Sequence, residues 1–251
     1  MGRQNEIGAV QTTLRILESL FERESAGVTE ISRLTDLPKS TVYTHLNTLE
    51  NEGYLRSKNG EYQPSLRFLE LGETTRRKSP LFNIAKPELD ELAEETGELV
   101  NVAVEEDFEA VYLYLAYGTN AVRLDTHPGK RVPLYCTAIG KCLLAHMDER
   151  RRETYLDQLS PDPVTKQTIT ETDTLRDRLE SVRERGYAID RGERMGDIRC
   201  VAAPIIIDDD CIGAISLTSV ISRLRGTRLN ETIPNKINDT ASVIRVNLTF
   251  S

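Results

Sequence analysis

The residues of this chain best suited to recognition chemistry lie between Pro38 and Gly53. Ser40, Tyr43, Thr44 and Asn47 recur at i, i+3, i+4 and i+7, with Lys39 ahead of them and Thr41 beside them. This face offers hydroxyls, a phenol and one amide, and no carboxylate appears before Glu50. Short hydrogen-bonding side chains on one helix face suit base edges and phosphate oxygens, where Asp or Glu would be repelled. Asn47 can bond an adenine with both ends of its amide, and Ser40, Thr41 and Thr44 can reach bases or phosphates. Tyr43 can either contact nucleic acid or pack on its own domain. Arg56 and Lys58 lie just before Asn59-Gly60, which puts two cations near the tip of a hairpin. These eight residues read as a set that binds double-stranded DNA. His45, between the two helix faces, reads as structural.

The elements that must position this set are legible around it. Val42, Leu46 and Leu49 form the opposite, apolar stripe of the same helix, which Pro38 opens and Gly53 stops. Upstream, Ala9–Glu24 has helical periodicity, with Val10, Leu14, Leu17 and Phe21 as the stripe and Ile16 and Leu20 beside it. Thr29 can cap a short second helix whose inward residues are Ile31 and Leu34. Helix, short helix, tight turn and polar-faced helix make a helix-turn-helix. Asn-Gly between two short β-like runs adds a wing.

Ser65–Ser79 reads as a linker helix whose apolar side (Leu66, Phe68, Leu69, Leu71) has no partner in one subunit, so a twin chain is expected to cover it. Next come an amphipathic helix over Leu81–Thr96 and strands at Leu99–Val104, Ala110–Tyr117, Val122–Thr126 and Val132–Cys136. Helices follow at Ile139–Met147, Arg150–Gln158 and Thr172–Arg185. Strands at Cys200–Ile207 and Cys211–Ser219 and a last helix from Ile233 complete an α+β domain. The expected division is 1–64, a winged helix-turn-helix; 65–79, a linker helix; and 80–251, the α+β domain.

Bulk properties narrow the setting. The net charge is −8 over 251 residues, yet residues 1–80 are balanced and the acidic excess lies wholly beyond them, so the first domain can meet a duplex. No apolar run approaches the roughly 20 residues of a membrane span, and no secretory signal precedes the first helix. A cytoplasmic protein with reduced thiols is expected, and the Asn-x-Thr triplets at Asn230, Asn238 and Asn247 are read as chance.

Several motifs in one order then identify a resemblance. They are Leu37-Pro38-Lys39-Ser40-Thr41-Val42-Tyr43, Leu92-Ala93-Glu94-Glu95-Thr96-Gly97, Cys136-Thr137-Ala138-Ile139-Gly140-Lys141, and Gly186-Tyr187-Ala188-Ile189-Asp190 leading to Glu193 and Arg199–Pro204. The chain resembles the IclR family of transcriptional regulators almost end to end. The resemblance implies a winged helix-turn-helix joined by a helix to a GAF-like α+β domain that binds a small molecule, in a homodimer or dimer of dimers. Carried over by motif, the effector pocket falls on Ala138, Ile139 and Gly140, on Asp190, Ile198 and Cys200, and on Ser216 and Thr218. Thr218 replaces the family's common serine, and Ile139 a smaller residue.

Residue chemistry agrees, because small residues before a helix admit a ligand to free N–H groups, and Ser216 and Thr218 share a strand face. No cofactor, metal or catalytic residue is expected. An enzyme would need Cys136, Cys142 or Cys200 with His127 or His146. Cys142-x3-His146 is at most half a metal site, and Gly140-Lys141-Cys142 lacks the glycine and hydroxyl of a phosphate loop. The other alternative is a DNA-binding protein whose second domain serves assembly alone.

Overall fold

The computed structural model describes residues 6–250. Two compact units divide between Thr75 and Arg76. Among the described residues no helix is long and apolar enough to cross a membrane.

The first unit runs α1 (Gly8–Phe21), β1 (Ala26–Gly27), α2 (Val28–Thr35), α3 (Lys39–Asn51), β2 (Leu55–Lys58) and β3 (Glu61–Pro64). Its three strands are antiparallel in the order β1-β3-β2. Asn59 and Gly60 take φ of 55° and 83°, as a two-residue hairpin turn matched to strand twist requires. α3 ends where Gly53 turns left-handed (φ 77°) and Tyr54 N–H bonds the Leu49 carbonyl at 2.8 Å. The core gathers Ile16, Leu20, Ile31, Val42, Leu46, Leu49, Leu55 and Tyr62.

Two sequence expectations change here. The buried face of α1 is Ile16 and Leu20, whereas Val10, Leu14 and Phe21 are 52%, 53% and 55% exposed. Both stripes of α1 are apolar, so periodicity marks a helix without saying which stripe meets α2 and α3. In α2 the cap is Gly27 rather than Thr29, and Thr35 is buried in place of Leu34, its hydroxyl donating to the Ile31 carbonyl at 2.7 Å. β1 is also too short to carry a sequence signal.

The helix α4 (Arg67–Arg77) has no buried residue and carries the division between the units. The second unit continues with α5 (Pro80–Thr96), β4 (Leu99–Glu106), β5 (Glu109–Tyr117), β6 (Arg131–Pro133), α6 (Ala138–Ala145), α7 (Glu149–Gln158) and α8 (Thr172–Arg185). It ends with β7 (Ala188–Asp190), β8 (Ile198–Ile207), β9 (Asp210–Val220), a π-helical turn (Arg228–Thr232) and α9 (Ile233–Thr249). Six antiparallel strands lie in the order β6-β5-β4-β9-β8-β7.

Strand alternation gives this sheet two cores. Val100, Val102, Val201, Ile215 and Leu217 pack with α5 and α9. Leu99 and the small residues Ala103, Ala188, Ala202 and Ala214 pack with α6, α7 and α8. Alanines there let α6 come close enough for Cys142 Sγ to bond the Ala202 carbonyl at 3.2 Å. The strand expected over Val122–Thr126 is absent and the segment is irregular. Its alternating Val122 and Leu124 do bury against the α6 core, but β6 is what pairs with β5. The run expected over Val132–Cys136 shortens to β6, and its remainder is buried in the approach to α6.

Candidate functional site

On the first unit, the side of α3 opposite Val42, Leu46 and Leu49 presents Lys39, Ser40, Tyr43, Thr44 and Asn47, all exposed, with Thr41 half-buried. Arg56 and Lys58 are exposed on the wing. Thr44 donates its hydroxyl to the Ser40 carbonyl at 2.9 Å, which leaves it an acceptor for any ligand. Ser57 donates to Glu50 at 2.5 Å, so the carboxylate that ends the polar face is held by the wing. His45 Nδ1 lies 2.8 Å from the Thr13 hydroxyl and ties α3 to α1, the structural role expected of it. The surface is a polar ridge of short donors and acceptors flanked by cations, a shape suited to a major groove.

On the second unit, register builds the other site. Asp190, Cys200, Thr218 and Leu99 form one continuous row across β7, β8, β9 and β4. The next row on the same face holds Ala202, Ser216 and Asn101. Over these rows lies a cavity of about 40 Å³. Asp190, Cys200, Ser216 and Thr218 line it from the sheet, Ala138 and Ile139 from the start of α6, and Ile198 from β8. Gly140 is not among its walls. A Cβ there would lie 2.5 Å from the Leu134 Cα and carbonyl oxygen, so this glycine lets α6 pack closely, and its N–H bonds the Thr137 hydroxyl at 3.0 Å.

The sequence reading missed Tyr112, Leu124, Thr137, Arg194 and Met195, which also line the cavity. Thr137 had a local signal, a threonine capping a helix start. Arg194 had none, because a loop residue's direction is set by what anchors the loop.

That anchor lies beneath the cavity. Asp190, 4% exposed, accepts N–H bonds from Gly192 (2.9 Å) and Glu193 (2.7 Å). Burial pushes its carboxyl up to about 6, against the pull of the Lys141 ammonium. Lys141, fully buried in α6, pairs with Glu193 and bonds the Ile189 carbonyl at 3.1 Å. Thr165 and Thr168 donate to the carbonyls of Gly192 and Glu193. A lysine inside Ala138–Ala145, all buried, needs a buried partner, and that was the available sequence clue. Burial raises the Cys136 thiol to about 11 and Cys200 to about 12, so neither is a thiolate nucleophile at neutral pH. His146 Nδ1 lies 3.0 Å from the Cys142 carbonyl. Both side chains of the Cys142-x3-His146 pair are thus taken up in packing.

A winged helix-turn-helix with an exposed polar ridge, on the same chain as a cavity-bearing α+β unit, is the architecture of a transcriptional regulator. Residues 9–58 match the IclR helix-turn-helix domain, and residues 74–246 match the bacterial transcriptional regulator IclR C-terminal family. The chain belongs to the IclR family, whose members are transcriptional regulators and not enzymes. It is 29% identical to a probable HTH-type transcriptional regulator, ArcR, of Halobacterium salinarum, over 98% of this chain and 96% of that protein. The IclR crystal structure from Thermotoga maritima superposes with a TM-score of 0.80 at 28% identity, covering 97% of this chain and 99% of the other. An IclR homologue from Microbacterium hydrocarbonoxydans, complexed with 4-hydroxybenzoate, gives 0.83 at 25% identity, over 97% and 100%.

Proposed function

We propose that this regulator binds an operator through Lys39, Ser40, Thr41, Tyr43, Thr44, Asn47, Arg56 and Lys58, and that a small organic acid in the second unit tunes that affinity. On this reading residues 1–64 hold the DNA, 65–79 link, and 80–251 sense and assemble. The observation that carries it is one cavity walled by the start of α6, by Asp190 and its following loop, and by the last strand. Arg194 stands in that wall, and the Ala138 and Ile139 N–H groups at the start of α6 favour an anion. The relative complexed with 4-hydroxybenzoate supports an acid as the class of ligand.

Assembly follows from the exposed stripes. Val10, Leu14 and Phe21 on α1 and Leu66 and Leu69 beside and on α4 lie open, and Phe21 meets Phe68 edge-on at 4.9 Å, joining the two stripes. A second copy buries that surface and sets two recognition helices about 34 Å apart on successive major-groove faces. Effector binding then shifts operator affinity by about 5- to 150-fold, the usual size of such coupling.

The experiment is retardation of duplexes from the regulator's own promoter at low ionic strength, with and without added organic acids. A retarded band whose midpoint moves with one acid supports the proposal. No retardation under any condition overturns it, and retardation indifferent to every acid leaves a second unit that only assembles.

A further inference from the structure

The helix α8 carries two polar faces of different kinds. One mixes signs, with Asp173, Arg176, Asp177, Glu180, Arg183 and Glu184. The other, at i, i+4, i+7 and i+11, reads Thr174, Arg178, Ser181 and Arg185 and holds no carboxylate. The residues three and four places from Arg178 are Thr174, Leu175, Ser181 and Val182, so no helical neighbour neutralises it. Arg191, just after β7, adds its charge beside Arg185. Arg185 Nε donates to the Tyr187 carbonyl at 2.6 Å, and Arg191 Nη2 to the Asn230 Oδ1 at 3.2 Å. Among the described residues no carboxylate pairs with either of them or with Arg178. The Arg185 Nη2 is buried without a hydrogen-bond partner, a cost that native proteins seldom leave unmet. Burial lowers the Arg185 pKa from its ordinary value, and the Arg178 and Arg191 charges lower it further. The dipole of α8 favours a cation in its last turn, where Arg185 sits. Arg178 lies two turns earlier and Arg191 off the helix, so the dipole accounts for neither.

We propose that Arg178, Arg185 and Arg191 form a site for a phosphate dianion, either free or as the monoester of a small molecule. Guanidinium forks match phosphate oxygens two at a time. Three cations gathered around Arg185 suit a compact, doubly charged group better than a single carboxylate. An extended nucleic-acid strand would instead need cations spaced along a track. A turn of the Arg185 side chain brings its unpartnered Nη2 to the bound phosphate. The site is separate from the cavity over the sheet, none of whose walls it shares.

Calorimetric titration of the full-length protein with inorganic phosphate and with glycerol 3-phosphate, at low ionic strength, tests this. Arg178→Gln and Arg191→Gln should each weaken binding about tenfold or more, as the loss of a charged hydrogen bond does, and thermal unfolding checks that both variants stay folded. Ser181→Glu places a carboxylate one turn from both Arg178 and Arg185 at an exposed position. That variant should abolish phosphate binding and raise Tm, because it supplies the missing counter-charge. Equal affinity for the two probes supports free phosphate as the ligand, and tighter glycerol 3-phosphate supports a monoester. Binding of neither probe, or binding that survives all three substitutions, overturns the site. Loss of operator affinity in Arg178→Gln and Arg191→Gln without any phosphate binding also overturns it, and gives the stripe to DNA.

Discussion

Lys141 and Glu193 form an ion pair inside the second unit, Lys141 fully buried and the Glu193 side chain 7% exposed. One partner lies in the helix that opens the cavity and the other precedes Arg194 in its wall. The pair therefore fixes the loop on which the cavity's one lining cation is carried. Buried pairs repay their desolvation only when both partners are present. Glu193 already has one buried oxygen without a partner, which makes it sensitive to loss of the lysine.

Lys141→Met should cost about 3–5 kcal/mol of stability by leaving Glu193 an uncompensated buried charge. Lys141→Met with Glu193→Gln should cost clearly less than the single change. Urea unfolding of both variants measures the difference, and equal losses would show that the pair does not act as a unit.

Asp190 makes stability fall as pH rises. Its ordinary value is 3.8, and in the folded protein burial raises it to about 6. Below pH 4 the group is protonated folded or unfolded, so it contributes nothing to the difference. Between pH 4 and 6 the unfolded chain releases a proton that the native state keeps. Stability therefore declines through that window, by about 3 kcal/mol in all. Asp190→Asn should flatten this decline, read from urea midpoints between about pH 4 and pH 7. An unchanged slope in the variant would assign the decline to other groups.

Asn47→Ala should cost about 1–3 kcal/mol of discrimination between operator and a base-substituted site, whereas Lys58→Ala should weaken both sites alike. The second change should also reduce the slope of log affinity against log salt by about 1. Fluorescence anisotropy over a salt series separates the two effects. Variants that bind like the parent on both measures would remove α3 and the wing from the contact surface.

Leu14→Glu combined with Leu69→Glu should dissociate the winged units while changing the monomer's stability little, because both side chains are exposed in one chain. Sedimentation velocity reads the first effect and thermal unfolding the second. An assembly that survives both charges is held elsewhere.

Local chemistry made most of this legible in one dimension. A polar and an apolar stripe on α3, Asn-Gly between two short strands, and a glycine after the helix each act within a few residues, so they appear in the sequence unchanged. The motifs likewise mark Ala138, Ile139, Asp190, Ile198, Cys200, Ser216 and Thr218, and the fold gathers them around one cavity. Gly140 shows the limit, since a small residue before a helix can serve a ligand or, as here, the backbone of Leu134.

Other features depended on which surfaces meet. Two apolar stripes ran side by side on α1, and only packing against α2 and α3 chose Ile16 and Leu20. Val122 and Leu124 alternate like a strand, yet they pack against the α6 core without joining the ladder, and β6 is the segment that pairs with β5, at Glu109–Val111. Lys141 finds Glu193 across 52 residues, and Asn101 finds Ser216 across 115. By itself the sequence determined the helix-turn-helix, the wing and the alternating strands, because those follow from periods and turns set by neighbouring residues. Only the tertiary structure decided which stripe is core and where Arg194 stands, because those depend on distances between residues far apart in the chain.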